Sequence, residues 1–154
     1  MTLIRVAWTD GADQSLGLPS YATPGAAGAD LRANFPPNLR PRGVLIWGQS
    51  QEAIPTGLRM EIPEGYEVQL RPRSGLARKH MLTILNAPGT VDSDYRGEVM
   101  VLLFNAKGTW TRIRHGDRIA QMVVAPVQQA RFEIADHLSD TDRGAGGFGS
   151  TGTR

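Results

Sequence analysis

The sequence predicts an all-β protein: a jelly-roll-like barrel or sandwich with one short helix and a flexible, glycine-rich C-terminal arm. Three observations lead there. The 154 residues include 18 glycines and 10 prolines, more than a helical protein uses, and these divide the chain into short segments. Several segments alternate apolar and polar residues with a period of two, the signature of half-buried strands. Helical patterning is confined to one stretch, Ser74 to His80.

Taken in order, Leu3 to Trp8 is a strand candidate. Gly25 to Arg32 is rich in small residues and holds one acid, Asp30, suited either to pair with an arginine or to hold a metal-bound water. Val44 to Trp47 is another strand candidate. Leu58–Ile62 and Glu67–Arg71 alternate about the turn signal Pro63-Glu64-Gly65, as antiparallel strands do. Ser74 to His80 reads as a helix with Ser74 as its N-cap and Arg78, Lys79 and His80 at the end that the macrodipole favours for cations. Asn86 to Gly97 reads as a tight hairpin, opened by Pro88-Gly89 and closed by Arg96-Gly97. Val99 to Phe104 is continuously apolar, which predicts burial on both faces, within the subunit or against another chain. Ile119 to Val127 is similar and contains a proline near its end. No linker interrupts the chain before about residue 138, so 1–138 are read as one β domain and 139–154 as the arm.

Composition narrows the function. A net charge of +2 is too small to argue for nucleic acid or a polybasic membrane contact, though a small anion needs only local cations. The absence of cysteine excludes disulfides and thiolate chemistry. His80, His115 and His137 are too scattered for a metal cluster, and no nucleophile elbow or Walker A lysine occurs. Neither a signal peptide nor an apolar run of membrane-spanning length is present, and the expected compartment is the cytoplasm.

Besides Gly25–Arg32, three segments and the arm could carry chemistry. Arg71-Pro72-Arg73-Ser74-Gly75 opens the helix; it reads either as an anion site, with N–H groups joined by Arg73 and Ser74, or as a plain capped surface helix. The Asn86–Gly97 segment offers main-chain donors and acceptors in fixed order, and its Asp92 and Asp94 are either a general base or turn formers. In Gly116–Gln121, Asp117 suits a turn or ion pair, while Gln121 is a lone amide in an apolar run whose partners a ligand could supply. Arg143 to Gly152 mixes glycines, an arginine, hydroxyls and Phe148, either a disordered tail or a flap for an anionic ligand with a base to stack.

Together these segments resemble the five ordered motifs of the trimeric dUTP pyrophosphatases (dUTPases): Ala27–Ala33, Arg71–Ala77, Asn86–Gly97, Gly116–Gln121 and Arg143–Gly152. The resemblance implies a jelly-roll-like fold and a homotrimer whose three sites are shared, each closed by an arm. It implies hydrolysis of dUTP to dUMP and pyrophosphate, which limits uracil incorporation into DNA and supplies dUMP for thymidylate synthesis. Asp92 then looks like the base activating the water that attacks the α-phosphorus. Asn86 and the backbone of Gly89, Thr90, Val91 and Asp92 would read uracil and the 3′-hydroxyl region. Tyr95 would pack on deoxyribose and exclude a 2′-hydroxyl, with Met100 bordering the pocket. Arg73, Ser74, Gly75 and Gln121 would hold phosphates. Arg143 would clamp the γ-phosphate, Phe148 stack on the base, and Gly149, Ser150 and Thr151 complete the phosphate cage. Mg2+ would be held mainly by phosphates and water, with Asp30 and Gln121 at most outer-shell.

Two departures stand out. The Arg42–Ala53 stretch is longer and more aromatic than the usual connection, and Met81 stands where many members have glycine. The dCTP deaminases resemble this fold and share parts of the motifs, but the Asn86–Gly97 segment holds no glutamate for that chemistry. A β-trimer that binds the nucleotide without hydrolysing it is the non-enzymatic alternative, opposed by Asp92 beside a full phosphate set.

Overall fold

The computed structural model describes residues 2–147. Twelve strands and one helix follow one another: β1 (Arg5–Trp8), β2 (Ser20–Tyr21), β3 (Ala29–Arg32), β4 (Val44–Ile46), β5 (Ser50–Pro55), β6 (Leu58–Glu61), β7 (Tyr66–Arg71), α1 (Ser74–His80), β8 (Leu82–Ile84), β9 (Gly89–Val91), β10 (Met100–Asn105), β11 (Thr111–Ile113) and β12 (Arg118–Pro126). A single 3-10 turn, Gln14–Leu16, precedes β2.

All recorded pairings are antiparallel and divide into four sheets, ordered β1-β6, β5-β10-β8, β11-β4 and β2-β3-β12-β7-β9. They enclose one core without closing into a barrel. Alternation decides which residues enter it. Leu58 and Met60 of β6, Val68 and Leu70 of β7, and Val101 and Leu103 of β10 are buried, while their sequence neighbours turn outward.

The structure corrects several expectations. β6 and β7 flank the expected turn, yet each pairs with a different partner, β6 with β1 and β7 with β12 and β9. A turn signal marks where a strand stops, not where the next one pairs. The Asn86–Gly97 segment is likewise not a hairpin. Gly89–Val91 leaves the β8 region and pairs with β7 at the edge of the five-stranded sheet. Within the single chain β10 is buried on one face only; Met100, Leu102 and Phe104 keep partial or full exposure on the other, which leaves another chain as the expected cover for that face. Serine 74 is the first helical residue instead of the cap: Arg73 occupies that position and makes no side-chain capping bond. The Arg42–Ala53 stretch is β4, a turn and the start of β5.

β12 carries a register shift between Arg118 and Ala120, which buries Ile119 and Ala120 in succession. The bulge resets the strand so that Gln121 faces Asp30 on one side and Arg71 on the other. Beyond Pro126 the chain leaves the core, and residues 126–145 are exposed throughout. Among the described residues, no helix is long and apolar enough to cross a membrane.

Candidate active site

Two groups of motif residues emerge, both built on the five-stranded sheet. The first gathers around Asp30 of β3. Its Oδ1 accepts from Arg73 Nε at 2.9 Å and its Oδ2 from Arg118 NH1 at 3.0 Å. Arg73 NH1 also donates to the Arg118 carbonyl at 3.2 Å. One carboxylate thus orients two guanidinium groups by charge-assisted bonds and leaves the cluster net positive. The Gln121 Nε2 donates to the Pro72 carbonyl at 3.0 Å, which fixes the amide beside the start of α1. Glycine 28 makes room for it, because a Cβ there would sit 2.4 Å from Gln121 Oε1. The Ser74 and Gly75 N–H groups begin the helix and have no intrahelical acceptor. Three separated motifs therefore converge within one chain on a surface suited to anionic oxygens.

Asp30 resolves to the arginine-pairing role. With one oxygen on each arginine, its remaining lone pairs suit a water-mediated contact to an ion carried by a ligand. Asp117 makes a turn, accepting from the Arg114 N–H at 2.8 Å.

The second group lies along β9 and the turn that follows. The side chain of Asn86 folds back over Gly89, where an added Cβ would lie 3.3 Å from its Nδ2. Thr90 and Asp92 are exposed, and the Asp92 carbonyl accepts from the Tyr95 N–H at 3.2 Å. Tyr95 donates its hydroxyl to the Glu98 carbonyl at 3.0 Å. This fold-back requires Gly97, since a Cβ there would be 2.3 Å from the tyrosine oxygen. Glu98 is itself anchored, its Oε1 accepting from the Gly57 N–H at 2.7 Å. Met100 is exposed at the head of β10.

The two groups do not meet inside one chain. In the β7–β9 ladder Leu70 lies opposite Gly89 and Val68 opposite Val91, so Asp92 continues toward Glu67 while Arg73 lies beyond the other end of β7. The six residue steps from Glu67 to Arg73 span roughly 20 Å of extended chain. Arg143 Nε donates to the Gly146 carbonyl at 2.8 Å within a local turn, and among the described residues it bonds to neither group. Phe148, Gly149, Ser150 and Thr151 lie outside the described residues.

Sequence reasoning assigns no role to Arg118 or Gly28, and gives Gly97 only the close of a hairpin turn. Arg118 lies inside a quoted motif, but its pairing to an acid 88 positions away has no local signal. The two glycines matter for what their missing Cβ atoms allow, which only the neighbouring side chains disclose.

Fold and site define a jelly-roll β protein with a net-positive Asp30–Arg73–Arg118 cluster beside a helix start and a second group of side chains along the sheet-edge strand β9. The dUTPase family model matches residues 14–152. Over 149 residues the chain is 58% identical to the deoxyuridine 5′-triphosphate nucleotidohydrolase of Roseobacter denitrificans, covering 97% of this chain and 95% of that one. With the enzyme of the same name from Desulfotalea psychrophila it shares 50% identity over 152 residues, 97% of each chain. The fold matches Staphylococcus bacteriophage 80alpha dUTPase with dUPNHPP at a TM-score of 0.82 and 25% identity, over 99% of both chains. The chain belongs to the dUTPase family.

Proposed function

We propose that this chain hydrolyses dUTP to dUMP and pyrophosphate, as three copies sharing three sites in the cytoplasm. The observation that carries the shared site is the separation of Asp92 from Arg73 at opposite ends of the β7–β9 pair. A base and its phosphate clamp must lie within one nucleotide's length, so a second copy supplies one of the two groups. Other features support assembly. Met100, Leu102 and Phe104 leave an apolar outer face on β10. Phe132, Ile134 and Leu138, at 92%, 99% and 88% exposure, are apolar side chains without cover from their own chain.

In this reading β9, the last strand of its sheet, turns an unpaired main-chain edge to uracil, whose acceptor–donor–acceptor pattern differs from cytosine's. Asn86 and the backbone from Gly89 to Asp92 hold the base and the 3′-hydroxyl region. The Tyr95 ring closes against deoxyribose, leaving no space for a 2′-hydroxyl, and Met100 borders the pocket. From a second copy, Arg73, Ser74, Gly75 and Gln121 receive the phosphates. Asp92 takes a proton from water as the oxygen attacks the α-phosphorus; the bond to the bridging oxygen breaks and pyrophosphate leaves. Positioning and charge stabilisation supply most of the acceleration. Mg2+ carried by the triphosphate would supply further charge neutralisation, and Asp30 and Gln121 are the residues that would hold it, through water. The segment 139–154 acts as the closing arm: Arg143 on the γ-phosphate, Phe148 on the base, and Gly149, Ser150 and Thr151 around the phosphates. Deamination of dCTP fits less well, because Glu98, the first glutamate after the segment, is held by the Gly57 N–H.

The test is complementation. Asp92→Asn and Arg73→Ala are each expected to be nearly inactive. After unfolding and refolding as an equal mixture, about a quarter of the sites take both intact groups from different copies, and activity returns toward that fraction of wild type. Two inactive variants that stay inactive when mixed, while forming mixed trimers, would end the shared-site reading.

A further inference from the structure

The aromatic stretch that the motifs leave unexplained forms one end of the β4–β11 pair. Ile46 lies opposite Thr111, so the next position outward sets Trp47 across from Trp110. Ile46 is buried, and alternation turns the tryptophan pair to solvent, at 62% and 52% exposure. Arg112, exposed and paired with Leu45, is two residues along the same face from Trp110.

This end is held rigidly. The Gln49 backbone adopts a left-handed φ of 59° and its N–H donates to the Asn105 carbonyl at 2.8 Å. Its side-chain Nε2 donates to the carbonyls of Ala106 at 2.8 Å and Lys107 at 3.3 Å. The buried Asn105 amide ties the Ile46 and Thr109 carbonyls together at 2.9 and 2.8 Å. Gly48 packs so closely that a Cβ would sit 2.6 Å from the Gly108 carbonyl carbon. Two separate turns are thus locked to each other, and what they project is a pair of indoles.

Charge selects the occupant. Neither residues 31–51 nor residues 99–116 contain an Asp or Glu; of the cations there, Lys107 lies in the turn leading to Trp110 and Arg112 on the face of the indoles, while Arg42 and Arg114 lie toward the opposite end of the β4–β11 pair. The residues between and beside the indoles are small or polar: Gly48, Gln49, Ser50, Gly108 and Thr109. A lipid surface calls for additional aliphatic side chains to insert, and these are missing from the two turns. Preorganised aromatic faces among cations, amides and hydroxyls match bases that stack while their phosphates pair with the flanking charges. We propose that the Trp47–Trp110 end of the sandwich is a docking surface for single-stranded polynucleotide, separate from the nucleotide site.

The experiment follows the fluorescence anisotropy of a labelled thymidine oligonucleotide of about 20 nucleotides, long enough to cover such a site. It is titrated with the full chain at low salt. The expected result is saturable binding that weakens with added salt and is not displaced by excess dUMP. Trp47→Ala with Trp110→Ala should raise Kd by roughly tenfold or more, with dUTP turnover and sedimentation unchanged. Arg112→Glu, which keeps both indoles, should weaken binding in the same direction. Absence of saturable binding, binding untouched by these substitutions, or displacement by dUMP would overturn the proposal. So would capture by phosphatidylserine vesicles in place of the oligonucleotide, or a change of oligomeric state in the double variant, which would make the indoles a contact between copies.

Discussion

At the scale of single residues, the site depends on side chains whose positions are set by other side chains. Asp92 lies on an exposed turn, held through its carbonyl and not its carboxylate. Asp92→Asn should therefore keep the fold and bind dUTP near normally, while turnover falls on the order of 100-fold or more, as for a removed general base. Equilibrium binding of a non-hydrolysable analogue, set beside steady-state kcat, separates the two effects. Full turnover in that variant would remove Asp92 from the mechanism. Tyr95 is placed by its bond to the Glu98 carbonyl and by the gap at Gly97. Its removal in Tyr95→Ala should raise kcat/KM for UTP relative to dUTP, whereas Tyr95→Phe keeps the ring and most of the discrimination. An unchanged ratio in the alanine variant would show that another group excludes the 2′-hydroxyl.

At the scale of elements, two joints carry measurable consequences. Helix α1 ends on Met81 with φ 53° and ψ 34°, the left-handed conformation that glycine adopts without a Cβ clash. The Met81 side chain is half exposed, so little packing is lost on removing it. Met81→Gly should stabilise the protein by about 1 kcal/mol, read as a higher urea midpoint at unchanged slope. A lower midpoint would mean that the methionine packs against something that offsets its backbone cost. The second joint ties the 3-10 turn to the approach to β12. The His115 Nδ1 accepts from the Phe35 N–H at 3.1 Å, which leaves Nε2 as the protonated nitrogen facing Asp13 Oδ2 at 3.1 Å. The Ser15 hydroxyl first, then His115 and the Ser15 N–H, hold the Asp13 pKa at about 2, below its ordinary 3.8. The carboxylate is favoured in the folded state, so its contribution is complete above pH 3.8 and is lost as the pH falls toward about 2. Urea midpoints across that interval should drop less steeply in Asp13→Asn than in wild type; equal slopes would show that Asp13 titrates alike in both states.

At the scale of the whole molecule, one chain holds the Asp30–Arg73–Arg118 cluster and the Gly89–Asp92 edge on the same five-stranded sheet, separated by the length of β7. In the proposed reading, that separation makes activity a property of the assembly. In the proposed trimer, dilution well below the concentration at which the chains dissociate should abolish turnover even though each chain retains its β sandwich. Activity per chain measured against protein concentration, alongside sedimentation, tests this: constant specific activity into the monomer range would show that one chain suffices.

How much was legible in advance follows from the range of the forces involved. The strand character of Leu58–Glu61 and Tyr66–Arg71 and the bounds of α1 are local: alternation and turn residues act over a few positions, and they were read directly from the chain. The five motif segments were legible as an ordered set through their resemblance to a family, and the family model spans them over residues 14–152. Pairing was not legible. Nothing near Gly89 indicates that it joins β7 instead of folding back toward β10, and nothing near Arg118 points to Asp30. Such contacts are selected by the burial of the entire core, whose energy is shared among segments far apart in sequence. The sequence by itself determined the strand-forming segments and the chemical groups on offer. The tertiary structure decided which groups stand together, because antiparallel register fixes positions along a strand to within a residue, and it set Asp92 and Arg73 at opposite ends.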